Sequence, residues 1–305
     1  MQLEWLEDFI ELARTRSLSR AAQNRCVTHP AFGRRIKALE DWFGVALIER
    51  KQPLSLTPAG LLFLEAASHS LGLLNNARAQ FQTVGSSRDE PVRIATGRTL
   101  ASHFFPDWYE GLNQRFGAFP VSLVTSGSQE AIARVSAGEV DLLLIFSSPL
   151  TRILLDSDRF DSLVLAREQM VPVSAPDSEG LPRFQIRSGA GASSVPWLAF
   201  APTLALRGVL AQHLAALPQR LALRMSYQAD SYESILQMAK RGAGLAWLPH
   251  MVVDTALKAG ELVLAGGAEM AIGFDISLHR SRSNQAERVM RIWHGLVEDA
   301  LITGN

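Results

Sequence analysis

Between Arg14 and Lys37 the chain places seven cations, Arg14, Arg16, Arg20, Arg25, Arg34, Arg35 and Lys37, and no acid. The stretch before it is the reverse. Glu4, Glu7, Asp8 and Glu11 alternate with Leu3, Leu6, Phe9, Ile10 and Ala13 at helical spacing, which predicts an amphipathic first helix with the acids on its polar face. Lys+Arg and Asp+Glu are equal at 30 each in the whole chain, so net charge carries no information about a polyanionic partner. Segregation does, because each cation that neutralises a phosphate adds salt-dependent affinity. A basic stripe within a neutral protein is the local feature that a nucleic-acid surface requires.

The pattern around the stripe supplies the scaffold. Ser17 and Ser19 offer stop and cap chemistry before a short second helix to about Asn24, with Ala21 and Ala22 where two helices approach closely. After a turn through Arg25, Cys26 and Val27, Thr28 as N-cap and Pro30 in the first turn open a third helix to about Trp42. Its buried positions are Ala31 or Phe32, Ile36 and Leu39. Three such helices with a tight turn between the last two make a helix-turn-helix, whose final helix enters the major groove. Residues 44–50 and 54–57 alternate around Lys51, Gln52 and Pro53 as a hairpin wing, in which Arg50 and Lys51 reach phosphates or the minor groove. Thr57-Pro58 starts a longer helix. Along it Leu64, Ala67, Leu71, Leu74 and Phe81 form a seam that Arg78 interrupts, which implies a partner helix and a dimer.

These residues resemble the LysR-type transcriptional regulators. The resemblance runs through Phe9, residues 17–22, 27–32 and 34–40, then Gly44, Val45, Leu47, Arg50, Leu56, Thr57 and Gly60, and continues more weakly to the end of the chain. It implies a dimer or tetramer whose C-terminal domain binds a small co-inducer, and it makes Thr28, His29, Pro30, Gly33, Arg34, Arg35 and the wing residue Arg50 the DNA-facing positions. His29 stands where the family usually has Gln and Gly33 where it usually has Ser, so base preference departs from the common one. His29 reads a base or holds a phosphate. Trp5, Asp8, Phe9, residues 30–32, 34–36, 53–54 and 246–249 further resemble the hypochlorite-responsive branch of the family.

At 305 residues the chain suits two or three compact units. We delimit a winged helix-turn-helix at 1–58, a linker helix and hinge at 59–87, and an effector-binding domain at 88–305. In the last, strands at 92–95, 121–124 and 141–146 alternate with helices at 102–115 and 129–137. The order repeats with strands at 197–200, near 221–223 and after 242, and helices from 204 and 231; a strand at 275–278 and a helix at 285–302 end the chain. Alternation of this kind predicts parallel sheets covered by helices. Two such halves resemble the α/β two-lobed periplasmic-binding-protein fold, with lobe I at 91–162 and 268–303, lobe II at 163–267, and crossovers near Ser162-Leu163 and Gly266-Gly267. Ligands of open α/β folds bind beyond the C-terminal strand ends, which here means Thr99, Leu100, Ser126, Ser128, Phe146, Phe200 and Thr203. Hydroxyls and helix N–H groups suit a carboxylate, the phenylalanines an apolar or aromatic body.

The other function classes lack their residues. The N-terminus has neither the basic nor the long apolar region of a secretory signal, which argues against a solute-binding protein and for the cytoplasm. No stretch of 18 apolar residues occurs, so no membrane partner is expected. No P-loop, GxGxxG, GxSxG or HExxH is present, and the seven histidines are scattered, so we expect neither an enzyme nor a metal nor a cofactor. The single cysteine, Cys26, excludes an intramolecular disulfide and reads as a small buried filler. Met170, Met225, Met238, Met251 and Met270 read as core. The effector's identity, and whether the signal is a ligand or oxidation, are left open.

Overall fold

The computed structural model describes residues 2–49, 54–83, 90–147, 155, 157–186, 194–218 and 221–303. The chain divides into two compact units, residues 1–87 with 133–139 and residues 88–132 with 140–305. Among the described residues no helix is long and apolar enough to cross a membrane.

The first unit contains α1 (Leu3–Thr15), α2 (Leu18–Asn24), α3 (His29–Phe43), a hairpin of β1 (Ile48–Glu49) and β2 (Ser55–Leu56), and α4 (Pro58–Thr83). Its core joins Phe9, Leu12, Phe32, Ile36 and Leu39, so Phe32 rather than Ala31 fills the inner face of α3. That helix ends at Gly44, whose left-handed φ of 72° suits glycine and whose N–H bonds back to Glu40 O. The wing pairs Ile48 with Leu56 and Glu49 with Ser55; its tip, with Arg50 and Lys51, lies outside the described residues. The buried Glu40 carboxylate accepts from the N–H groups of Leu47 and Ile48 at 2.9 and 3.3 Å. Thr57 is the expected N-cap of α4: its Oγ1 accepts from Gly60 N at 2.9 Å and donates to Ala46 O at 2.8 Å. Gly60 answers to a close approach, since a Cβ there would stand 2.0 Å from the Leu47 carbonyl oxygen.

The seam along α4 is not all available to a partner. Ala67 and Leu71 are buried with Phe63 in the unit's own core, and Phe63 packs edge-on to Phe9 at 4.9 Å. The large apolar residues left exposed on α4 are Leu61, Leu62 and Leu74. The Arg78 and Phe81 side chains lie outside what the structure describes.

In the second unit β3 (Val92–Thr96), β4 (Val121–Thr125) and β5 (Leu142–Ser147) run parallel in the order β4-β3-β5. In sequence between them lie α5 (Arg98–His103), α6 (Phe105–Phe116) and α7 (Ser128–Ser136), the last of which counts with the first unit from residue 133 on; the single helix expected at 102–115 is two, broken at Phe104. Two strands then run between the lobes, β6 (Phe160–Ser174) and, later, β11 (Ile272–Ser281). The second lobe repeats the plan with β7 (Val195–Phe200), α8 (Arg207–Ala216), β8 (Leu223–Ala229), α9 (Tyr232–Lys240), β9 (Ala246–Pro249), α10 (His250–Lys258) and β10 (Val263–Leu264). β7 is parallel to β8 and, through a Trp197–Leu245 bridge, to the approach of β9.

The parallel arrangement therefore describes three strands of each lobe, while the sheet as a whole is mixed. β6 and β11 pair antiparallel along their length, β11 lies antiparallel to β5, and β6 lies antiparallel to β9 and β10. The first crossover, expected near Ser162-Leu163, is a 15-residue strand rather than a loop. The helix α11 (Glu287–Thr303) closes the chain. It is tied to the start of β3 by Asp141, which is 2 % exposed. Asp141 accepts from Arg93 N at 2.9 Å, Arg93 Nη2 at 3.1 Å, Asn284 Nδ2 at 3.1 Å and Arg288 Nη2 at 3.3 Å. Met170 is buried as expected, but Met225 is exposed on β8, because that strand is the outer one of its pair.

Candidate DNA-reading surface and effector cavity

The turn into α3 is shaped by Cys26, whose φ of 54° lies in the left-handed region that L-residues rarely adopt. Its thiol is exposed, which corrects the expectation of a buried filler. Ser17 caps α2 by accepting from Arg20 N at 3.4 Å. Thr28 occupies the N-cap of α3, yet its hydroxyl makes no capping bond. With His29 and Pro30 it is exposed. A Cβ at Gly33 would meet nothing within 4 Å, so packing does not demand glycine there, and the helix surface beside exposed Arg34 is smooth.

The seven cations are not equivalent. Asp8 is not on the polar face of α1, as its spacing predicts, but fully buried. It accepts from Arg25 Nε at 2.8 Å and Arg35 Nη1 at 3.1 Å. Glu7 takes a second Arg25 nitrogen and Glu4 lies 3.1 Å from Arg35. Arg14 bonds Glu11 at 2.7 Å and Lys37 bonds Asp41 at 2.8 Å. Arg16, Arg20 and Arg34 remain exposed with no acidic partner among the described residues. Internal pairing thus sorts the stripe into arginines that hold the domain together and arginines that face outward.

In the second unit a cavity of about 340 Å³ opens at the strand ends, walled by residues 97–100, 125–128, 145–146, 203–205 and 230–233. Its base is aromatic: Phe146 meets Tyr232 and Phe274 edge-on at 6.1 and 5.2 Å. Tyr232 is fully packed, which pushes its phenol well above the usual range, and its oxygen accepts from Leu206 N at 3.2 Å, fixing the 203–206 turn. The polar rim converges on Glu233. Thr99 Oγ1 donates to Glu233 Oε1 at 2.8 Å and Ser231 Oγ to Oε2 at 2.9 Å, while Arg98 Nη2 donates to the Asp230 carbonyl at 3.3 Å. Partial burial opposes the charge on Glu233, but the hydroxyls of Thr99 and Ser231 outweigh it and hold the carboxyl below its ordinary range.

Two family models match this architecture: "Bacterial regulatory helix-turn-helix protein, lysR family" over residues 3–61 and "LysR substrate binding domain" over residues 85–301. The chain belongs to the LysR family of transcriptional regulators. The HTH-type transcriptional regulator YjiE of Escherichia coli K12 is 27 % identical over 299 residues, which cover 98 % of this chain and 95 % of YjiE. DarR of Vibrio fischeri, solved in complex with DNA, is 26 % identical with a TM-score of 0.57 over 97 % of this chain and 98 % of DarR. Full-length HypT of Salmonella typhimurium, a hypochlorite-specific LysR-type regulator, shares the fold at 24 % identity and a TM-score of 0.58, with 97 % of each chain covered.

In this LysR-type regulator the structure brings Thr99, Leu100, Ser126, Ser128, Phe146 and Thr203 to one cavity. Phe200 is the exception: it is buried behind the wall, edge-on to Tyr232 at 5.1 Å. Sequence reasoning missed Arg98, Asp230, Ser231, Tyr232 and Glu233. Four of these follow the C-terminal end of β8, a strand expected near 221–223 that ends at Ala229. The strand-end rule was applied to the strands at 92–95, 121–124, 141–146 and 197–200 and not to this one. Among the described residues no group of three His, Cys, Asp or Glu is placed to hold a metal ion.

Proposed function

We propose that this LysR-family regulator reads DNA through Thr28, His29, Pro30, Gly33 and Arg34, and takes its effector in the cavity at Thr99, Leu100, Ser126, Ser128, Phe146 and Thr203. The observation that carries the reading is the division within one helix turn: Arg34 is exposed and has no acidic partner among the described residues, whereas Arg35 is held by Asp8 and Glu4. Arg35 then acts by fixing α3 on α1, and wing Arg50 supplies a phosphate contact. The chain works in the cytoplasm as a homo-oligomer and a binding protein rather than an enzyme; Leu61, Leu62 and Leu74 of α4 supply apolar surface for a second copy.

Fluorescence anisotropy on duplexes from the DNA flanking its own gene tests this. Arg34→Ala lowers affinity and flattens its salt dependence by about one unit of slope if the contact is a phosphate, or relaxes sequence preference if it is a base. Unchanged affinity in Arg34→Ala rejects the assignment. An oxidant as signal is a second reading, favoured by the exposed thioether of Met225. Hypochlorite should then alter operator binding in the wild type and leave Met225→Leu unmoved.

A further inference from the structure

Glu233 is an unusual guest in a cavity expected to receive a carboxylate. Its two oxygens are held at 2.8 and 2.9 Å by neutral hydroxyls, those of Thr99 and Ser231. His103 Nε2 stands 3.9 Å from Oε1, an ion pair only when that imidazole is protonated. A carboxylate held by hydroxyls keeps its full charge and spare lone pairs, and is a receptor for a cationic donor. A purely anionic ligand would meet like charge at Glu233 and find the Thr99 hydroxyl already engaged, while the one lining cation among the described residues, Arg98, is turned to the Asp230 carbonyl at 3.3 Å.

The opposite wall has the complementary character. Residues 125–128 contribute hydroxyls and backbone amides and no carboxylate, and they lead into α7, a helix of 9 residues whose first N–H groups favour an anion. The Ser126 hydroxyl is buried there with no hydrogen-bond partner among the described residues, and a buried polar atom of that kind is costly until something satisfies it. Leu100, Ile145 and Phe146 line the same cavity and give it an apolar portion. At about 340 Å³ the space is at the small end for ligand sites.

Resting on the reading of this cavity as the effector site, we propose that its effector is a small zwitterion, an α-amino acid or a close relative. Its ammonium group bonds Glu233, its carboxylate bonds Ser126 and Ser128, and its apolar portion lies on Leu100 and Phe146. The 2.8 Å bond from Thr99 to Glu233 joins the two lobes, so an ammonium group arriving at Glu233 acts on a contact between them.

The test uses the full chain and calorimetric titration with the proteinogenic L-amino acids, each beside its des-amino carboxylate and its decarboxylated amine (for leucine, 4-methylpentanoate and isopentylamine). At least one amino acid should bind, and both of its truncated forms should bind at least about tenfold more weakly. Glu233→Gln should weaken that amino acid by roughly ten- to a hundredfold, Glu233→Asp by less, and Ser128→Trp should close the cavity to it. Unliganded melting temperatures establish that each variant folds. A best ligand that lacks an amino group, Glu233→Gln binding as well as wild type, or silence across the panel at millimolar concentration each overturns the zwitterion. A carboxylate-only ligand lost in Ser128→Trp overturns the ammonium contact but keeps the cavity as the site. Ligand binding indifferent to Ser128→Trp overturns the site itself.

Discussion

Asp8 in the first unit and Asp141 in the second are both buried, and each holds two arginines. Asp141 gathers Arg93, Asn284 and Arg288 from the first strand and the segment before and within the last helix, so it closes the ends of a domain that spans more than two hundred residues. Asp8 gathers Arg25 and Arg35 from a basic stripe and turns them inward. One arrangement secures chain ends; the other decides which cations of the stripe stay exposed. The same physical device thus ties distant segments together in one unit and, by subtraction, leaves an exposed set of arginines in the other.

Removing each aspartate tests that contrast. Asp141→Ala leaves Arg93 and Arg288 beside an emptied site and should cost about 3 kcal/mol, read as a fall in the urea midpoint of the second unit with DNA contacts unchanged. Asp8→Ala should cost less, about 2 kcal/mol, because Asp8 holds Arg25 and Arg35, whereas Asp141 also accepts from Arg93 N and Asn284 Nδ2. It should also lower the difference in DNA affinity between Arg34→Ala and Arg35→Ala, since Arg35 is released to face outward. Equal effects of the two aspartate changes on DNA binding would dissolve the contrast.

Acid separates the units further. Burial works against the charge of Asp141, but the hydrogen bonds from Arg93 and its field, with that of Arg288, hold the carboxyl below its ordinary 3.8. Its stabilisation is therefore whole above 3.8 and is lost as pH falls below it through the depressed folded value. Burial of His279 lowers its pKa from 6.5 to about 4. The unfolded chain binds that proton first, so stability declines as pH falls from about 6.5 to 4. Urea midpoints measured across this window should slope in the wild type and flatten in His279→Leu; an unchanged slope rejects the assignment.

The smallest effect concerns the turn. Cys26→Gly removes the left-handed penalty of an L-residue but adds backbone entropy to the unfolded chain, so the two offset to within about 0.5 kcal/mol. Operator affinity should persist, which would show that the exposed thiol is dispensable for reading DNA. A loss of affinity would give Cys26 a direct role.

The first unit was legible because its information is local. Ser17, Thr28, Thr57 and Pro58 sit within a turn of the helix each begins, and Phe32, Ile36 and Leu39 repeat at the helical period. What local patterns did not reveal is direction: Asp8 falls with Glu4, Glu7 and Glu11 in the acidic pattern, and its burial follows from arginines 17 and 27 residues away. The second unit hid more. In β6, Asp161, Arg167, Glu168 and Gln169 interrupt the apolar run because this part of the strand is only partly covered, Arg167 and Gln169 being exposed. β8 was placed short since Arg224, Ser226 and Gln228 are exposed and make it look like a loop. Glu233 escaped notice because its partner Thr99 is 134 residues distant.

Because β6 and β11 remain hydrogen-bonded to each other while passing from one lobe to the other, the joint between the lobes is a ribbon rather than a pair of loose tethers. A ribbon resists being pulled apart but yields to torsion, and its softest point is marked: the register slips at Ile276/Ser277, leaving Leu165 unmatched. Any rotation of one lobe against the other, like the turn of a screw, has to pass through that point. A proline or a deletion at Leu165 would change the pitch of that screw without touching a single residue of the cavity wall.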